Sequence, residues 1–307
     1  MKSGVVVLLV AVVLGFAFLS LNRRLPKEQI TAALSGKVVL ICGASSGIGE
    51  QLALDLAAVG AKVIIVARRL EKLEGVKKRI LEEVNAKAEV GVIKCDFSDV
   101  TQSENLMSEA IKIFGRVDHL IINHAVMKLS PFLSAVPDQS PQVIKDTFQI
   151  NFFSFIQIAL SAIDHLEENS GNIIVTSSTA GETPFIINSI YSASKHAMNG
   201  FFYTLDQELQ LRKSKVRVTV GALGLIRTEL IVRAIEEYGM LTHVPAFAQG
   251  DLKECSENMI EGLVTRPGTI TYPYVSTVMM RILWQIAPSV LVDSQTYADA
   301  LSMMDKN

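Results

Sequence analysis

Six short runs rich in Val, Ile and Leu set the limits on what this chain can fold into. They are Lys37–Cys42, Lys62–Ala67, Val90–Cys95, His119–Asn123, Asn172–Ser177 and Arg217–Ala222. Most are nearly continuous in apolar residues, as expected of strands covered on both faces. Between them lie segments long enough for helices: Gly47–Val59, Leu70–Asn85, Thr101–Phe114, Pro141–Glu168 and Ser189–Arg212. Strand and helix alternating in this way predict a parallel sheet with right-handed crossovers. The fold class is α/β, a doubly wound, Rossmann-type parallel sheet. Its ligand belongs outside the carboxyl ends of the strands.

A different signal precedes the first run. From Ser3 to Asn22 there are 20 uncharged residues, and Val5–Leu21 is almost wholly apolar. A helix of that length spans roughly 30 Å, the hydrocarbon thickness of a bilayer. Arg23, Arg24 and Lys27 end the run. A cleaved signal peptide has a shorter apolar region and a small-x-small site, and Ala17–Ser20 offers no good one. The expectation is an uncleaved N-terminal transmembrane helix over residues 1–24, then a linker over 25–36. The charges flanking the run differ by about one, a slight lean toward a cytosolic catalytic side.

The 29 Lys and Arg nearly balance the 31 Asp and Glu. That argues against a general nucleic-acid surface, which needs a basic excess. Cys42, Cys95 and Cys255 are too few and too scattered for a disulfide framework or a zinc site. No metal is expected.

The first strand runs directly into Gly43-Ala44-Ser45-Ser46-Gly47-Ile48-Gly49, and a helix follows. Gly43 permits a tight turn, Gly47 lets backbone approach a pyrophosphate, and Gly49 lets helix and sheet pack closely. The helix start then offers N–H groups and a positive dipole end to phosphate. The second strand ends in Arg68 and Arg69, with no acid to hold two ribose hydroxyls. Guanidinium pairs well with phosphate, so the expected cofactor is NADP(H), with Arg68 as the main contact and Arg69 in support.

Tyr191 and Lys195 stand four residues apart at the start of a predicted helix, which puts both on one face. Ser178 follows the strand Asn172–Ser177, at the sheet edge that carries the glycine loop. Asn151 lies on the long helix before that strand. A carbonyl that accepts hydride becomes an alkoxide and must be protonated. A free phenol has a pKa of about 10, so the Lys195 ammonium and an oxidised nicotinamide are expected to favour its phenolate. Ser178 would steady the substrate oxygen.

These residues resemble the short-chain dehydrogenases/reductases over roughly Leu34–Leu263. The matching pieces are CGASSGIG (Cys42–Gly49), CDFSD (Cys95–Asp99), INHA (Ile122–Ala125), QINFF (Gln149–Phe153), TSSTAG (Thr176–Gly181), YSASK (Tyr191–Lys195) and LGLIRTE (Leu223–Glu229). The resemblance implies a catalytic set of Asn151, Ser178, Tyr191 and Lys195, with Lys195 also on the nicotinamide ribose and Asn151 holding a relay water. It implies cofactor contacts from Ser45, Ser46, Ile48, Asp96, Phe97, Asn123, Ile226 and Thr228, with Asp96 on the adenine. Cys42 stands where Thr is usual. Asn-His at 123–124, Leu-Gly-Leu-Ile at 223–226 and the N-terminal run are most similar to the 11β-hydroxysteroid dehydrogenase type 1 branch. That branch is anchored in the endoplasmic reticulum with its catalytic domain in the lumen, opposite to the charge lean, so the side stays open. A homodimer is also implied.

Beyond Thr228, Leu230, Ile231, Ile235, Tyr238, Met240 and Leu241 would form a substrate lid, and Phe185 and Ile186 would line the same pocket. The run Val278–Val292 is too short and broken to span a bilayer. Residues 273–307 are therefore expected to be a dimerisation or membrane-proximal segment after a catalytic domain at 37–272. The expected activity is NADP(H)-dependent interconversion of a ketone and a secondary alcohol on a steroid-like lipophilic substrate. The alternatives are a retinoid or keto-lipid reductase, and a cofactor-binding scaffold without turnover.

Overall fold

The computed structural model describes residues 15, 24–127, 141–185, 188–229, 231–232 and 248–288. The apolar N-terminal run lies outside these, apart from Gly15. Among the described residues no helix is long and apolar enough to cross a membrane.

All six expected strands form: β1 (Val38–Cys42), β2 (Lys62–Ala67), β3 (Val90–Lys94), β4 (His119–Ile122), β5 (Asn172–Thr176) and β6 (Arg217–Leu223). A short ladder pairs β7 (Leu225–Ile226) with β8 (Gln249–Gly250). One further strand, β9 (Thr269–Tyr272), completes a seven-stranded sheet in the order β3-β2-β1-β4-β5-β6-β9. Every pairing in it is parallel. The strand order reverses beside β1, whose neighbours are β2 and β4. That is where a doubly wound sheet opens its crevice.

Burial explains the continuous apolar runs. In β1, Val38, Leu40 and Cys42 join one core cluster while Val39 and Ile41 join the other, on the opposite face. Each buried aliphatic side chain contributes roughly 1.5–3 kcal/mol, so every position of such a strand is apolar.

The helices are α1 (Lys27–Leu34), α2 (Gly47–Ala58), α3 (Leu70–Arg79), α4 (Val100–Phe114), α5 (Pro141–Phe148), α6 (Ser154–Asn169), α7 (Ser189–Leu211), α8 (Leu252–Thr265) and α9 (Tyr274–Ile286). The segment expected to continue from Pro141 to Glu168 carries a π-helical turn at Gln149–Phe153, between α5 and α6.

Two segments differ from expectation. The stretch 25–36 is no extended linker. It holds α1, whose Leu34 is buried in the core. Arg24 pairs with Glu254 and Glu257 of α8, and the Leu25 N–H donates to Glu261 Oε1 at 3.0 Å. At the other end, α9 does not stand apart from the catalytic domain. Ser276, Thr277 and Met280 line the central cavity, while Met279 and Ile286 are exposed.

Candidate active site

The turn after β1 is built for close approach. Gly43 has φ +83°, and a Cβ there would lie 2.6 Å from the backbone N and Cα of His124. A Cβ on Gly49 would lie 2.2 Å from the carbonyl oxygen of Gly43. The Asn123 side chain donates to that same carbonyl at 3.3 Å, tying the end of β4 to the loop. Ser46 occupies the N-cap of α2 in an extended conformation, yet makes no side-chain capping bond. The first-turn N–H groups therefore stay available to an anion.

Arg68 and Arg69 follow β2 and are exposed. Arg69 Nη2 donates to Ser45 Oγ at 3.2 Å, which carries a guanidinium to the phosphate loop. A cavity of about 520 Å³ runs from these residues along the carboxyl ends of the strands. Ser45, Ser46, Gly47, Ile48, Phe97, Asn123, Ile226 and Thr228 line it, and so do Ser178, Phe185, Tyr191, Lys195 and Ile231. Ile186, Leu230, Ile235, Tyr238, Met240 and Leu241 lie outside the described residues.

Ser178 sits directly beyond β5 and starts a one-turn 3₁₀ helix, Thr179–Gly181. Its Oγ accepts from the Ala180 N–H at 3.1 Å. That bond occupies a lone pair and leaves the O–H to donate. The Ser178 side chain stands near enough to the Tyr191 phenol to act on its pKa. Tyr191 is partly exposed and lines the cavity. Burial pushes the phenol pKa up to about 12, against a smaller lowering from Ser178.

Lys195, one turn further along α7, is 1% exposed. Its Nζ donates to the carbonyl of Thr176 at 2.8 Å and lies 5.6 Å from the centre of the Tyr191 ring. Burial pulls its pKa down to about 7. Desolvation dominates both groups and favours their neutral forms.

Asn151 and Asp96 stand back from the cavity. Asn151 lies in the π-helical turn and is fully buried. Its Oδ1 accepts from the Val126 N–H at 2.8 Å, and its Nδ2 donates to the Val126 carbonyl at 2.8 Å and to Ser194 Oγ at 3.3 Å. The amide holds the backbone beyond β4 in place. Asp96 Oδ1 accepts from the Ser98 N–H at 3.0 Å and from its hydroxyl at 2.8 Å.

Sequence reading overlooked His124. Its ring stacks on Phe97 with centroids 3.6 Å apart and planes within 7°. Nε2 lies 2.8 Å from Ser154 Oγ, and that hydroxyl also reaches the Ile150 carbonyl at 2.8 Å. Burial holds the imidazole well below its ordinary pKa, hence neutral. The unusual Asn-His pair was the available signal. Thr176, Asn188 and Thr277 were missed as well, because isolated Thr and Asn residues carry no periodicity.

The family model for short chain dehydrogenase matches residues 37–238. The chain belongs to the short-chain dehydrogenase/reductase family. It is 32% identical over 292 residues to hydroxysteroid 11-beta-dehydrogenase 1-like protein B of Xenopus laevis, covering 94% of this chain and 92% of that one. It is 34% identical over 241 residues to the hydroxysteroid 11-beta-dehydrogenase 1-like protein of Gallus gallus, covering 78% and 80%. Among solved structures it resembles levodione reductase, with a TM-score of 0.71 and 24% identity over 80% of this chain and 99% of that one. This short-chain dehydrogenase/reductase is an oxidoreductase of the hydroxysteroid-dehydrogenase-like branch, and the family implies a nicotinamide cofactor. The residues present fit such a group: a loop closed to any Cβ at Gly43 and Gly49, an open helix start, and a Ser-Tyr-Lys array on one cavity.

Proposed function

We propose that this chain is a membrane-anchored, NADP(H)-dependent oxidoreductase that interconverts a ketone and a secondary alcohol on a steroid-like lipophilic substrate. The observation that carries the reading is a single cavity with Arg68 and Arg69 lining one part and the Ser178–Tyr191–Lys195 array lining another. Phosphate at Ser45, Ser46 and the α2 start, with a 2′-phosphate on the two arginines, would hold the cofactor. The hydroxysteroid naming of the relatives supports the steroid class.

Bound reduced nicotinamide would supply the hydride to the carbonyl carbon. Ser178 donates a hydrogen bond to the carbonyl oxygen and fixes its position. Tyr191, protonated at neutral pH, gives its proton to the same oxygen as the C=O bond becomes C–O–H. Lys195 in its ammonium form balances the phenolate left behind. In the alcohol-oxidising direction the phenolate takes that proton back.

A panel of lipophilic ketones with purified full-length protein in detergent and NADPH tests the substrate class. Steroid ketones are expected to be turned over best. Preference for retinals or long-chain keto-lipids would move the chain to the alternative substrate class. NADPH binding without any turnover would support a scaffold instead.

The apolar run at residues 3–22 supports a single-pass anchor in the endoplasmic reticulum membrane, and family resemblance supports a homodimer. After alkaline carbonate extraction the full chain should stay in the membrane pellet. Recovery in the supernatant would rule out a spanning helix. Protease protection in sealed microsomes assigns the catalytic side.

A further inference from the structure

Asn188 holds the N-cap position of α7, where its backbone carbonyl accepts from the Ser192 N–H at 2.9 Å. An Asn at this position ordinarily spends its side-chain oxygen on an N–H of the first turn. Asn188 makes no such bond. Its Oδ1 is buried without a hydrogen-bond partner, the residue is only 8% exposed, and it lines the central cavity. The carboxamide oxygen thus neither caps the helix nor meets another protein group.

Two other unpartnered oxygens line the same cavity, Thr176 Oγ1 and Thr277 Oγ1. Both lie close to the sheet edge. Thr176 gives its carbonyl to Lys195, and a Cβ on Gly224, just beyond β6, would sit 3.0 Å from Thr277 Oγ1. Asn188 is different. It stands on the segment between Phe185 and Tyr191, one helical turn before the proton donor, and Phe185 and Met280 give the same cavity apolar surface. A buried acceptor in such a wall penalises a ligand that brings only hydrocarbon to it, and rewards one that brings a hydroxyl.

We propose that Asn188 is a specificity-determining residue whose carboxamide takes a substrate hydroxyl other than the reacting oxygen. The preferred substrate is then a lipophilic hydroxyketone, or the matching diol, rather than a simple ketone. This rests on the reading of the cavity as a site for lipophilic ketones. Selectivity acts in both directions, because the same oxygen binds the hydroxylated ligand and disfavours the bare one.

The test uses full-length protein, NADPH and a series of steroid ketones that share one reducible carbonyl. One member is the parent ketone. The others each carry one hydroxyl, placed at successive ring positions. For the wild type, one hydroxyl position should raise kcat/KM over the parent by about tenfold or more, the scale of one well-made hydrogen bond. Asn188→Val should lower kcat/KM for that hydroxyketone and raise it for the parent, so that the advantage disappears. Asn188→Ser, which keeps a hydroxyl, should retain part of it. A merely structural role would lower both substrates together and leave their ratio unchanged, which overturns the proposal. No preferred hydroxyl position in the wild type, with the parent turned over, also overturns it and leaves the ketone reading intact. No turnover of any member overturns the steroid reading and this inference with it.

Discussion

The two edges of the sheet treat similar polar residues in opposite ways. At the amino edge they are tied off. Asp118, 1% exposed, accepts from the Val38 N–H at 2.9 Å and from Arg116 Nε at 3.1 Å. His119 Nδ1 accepts from the Asn172 N–H at 3.3 Å, and Asp206 accepts from Arg217 and from the Val218 N–H. Asn172 Oδ1 is the exception there. Around the carboxyl edge, His124 Nδ1, Thr176 Oγ1, Asn188 Oδ1 and Thr277 Oγ1 have no protein partner, and all four residues line one cavity. Helix starts differ as well, by their place relative to the cavity, although Ser178 both caps its short 3₁₀ turn and lines the cavity. Asp99 and Asp251 cap α4 and α8 with their side chains and do not line the cavity; Ser46 and Asn188 line it and cap nothing. Each unmade bond costs roughly 1–3 kcal/mol when buried. Unpaired buried groups of this kind call for an explanation, and at Asn188 the one proposed is a substrate hydroxyl.

Substitutions should therefore divide by whether the residue lines the cavity, and the largest effect belongs to the catalytic array. Tyr191→Phe removes one oxygen and keeps the ring. Reduction should slow by about 10²–10⁴-fold, with NADPH affinity and melting temperature preserved. Lys195→Ala should cost as much and weaken NADPH binding too. Retention of more than about a tenth of the rate by Tyr191→Phe would remove it as proton donor.

Next in size is the cofactor end. Replacing Arg68 and Arg69 together by Ala should weaken NADPH far more than NADH, by roughly 1.5–3 kcal/mol for each charge-assisted bond lost. Titration of both cofactors measures this, and an equal loss for the two would contradict the phosphate assignment.

The pH response should be smaller. The Lys195 pKa of about 7 means that its ammonium is lost as pH rises through neutrality. Reduction needs that cation beside the nascent phenolate, so kcat should decline above neutrality by at most about tenfold per pH unit. The oxidative direction, which needs phenolate, should rise instead. Parallel profiles in the two directions would break this assignment.

The smallest effect concerns the helix starts. Asp99→Ala should destabilise the fold by about 0.5–2 kcal/mol through its lost cap, with no change in KM for NADPH. Ser46→Ala should leave stability almost untouched, since no cap is lost, while weakening phosphate binding. Denaturant melts and cofactor titrations on the same two variants check both halves.

Much of this division was legible in the chain. The six strands appear within one residue of their expected ends, because most of their positions are apolar and the central ones are buried on both faces. β9 was hidden because only Ile270 and Tyr272 of its four residues are buried, and its polar positions break the run. α1 was hidden because Lys27–Leu34 carries a weak apolar face and buries only Leu34. At the site, residue types and spacing placed Ser178, Tyr191 and Lys195 on one cavity. They could not show that Asn151 sits in a π-helical turn and grips Val126, a matter of hydrogen bonds between distant segments. Nor could they show which N-cap residues spend their side chains. Asn188 and Asp99 look alike in sequence as helix starters, and only the packing around them separates a cap from an unpaired acceptor.

The central claim is that this cavity passes hydride from NADPH to a lipophilic ketone. The most direct test is a single turnover by the full-length protein with NADPH deuterated at the transferring position of C4, followed by mass analysis of the product. One deuterium on the carbinol carbon of the alcohol, formed by wild type and strongly slowed in Tyr191→Phe, is the predicted result. Unlabelled alcohol, or saturating NADPH binding with no alcohol formed from any lipophilic ketone, would contradict it.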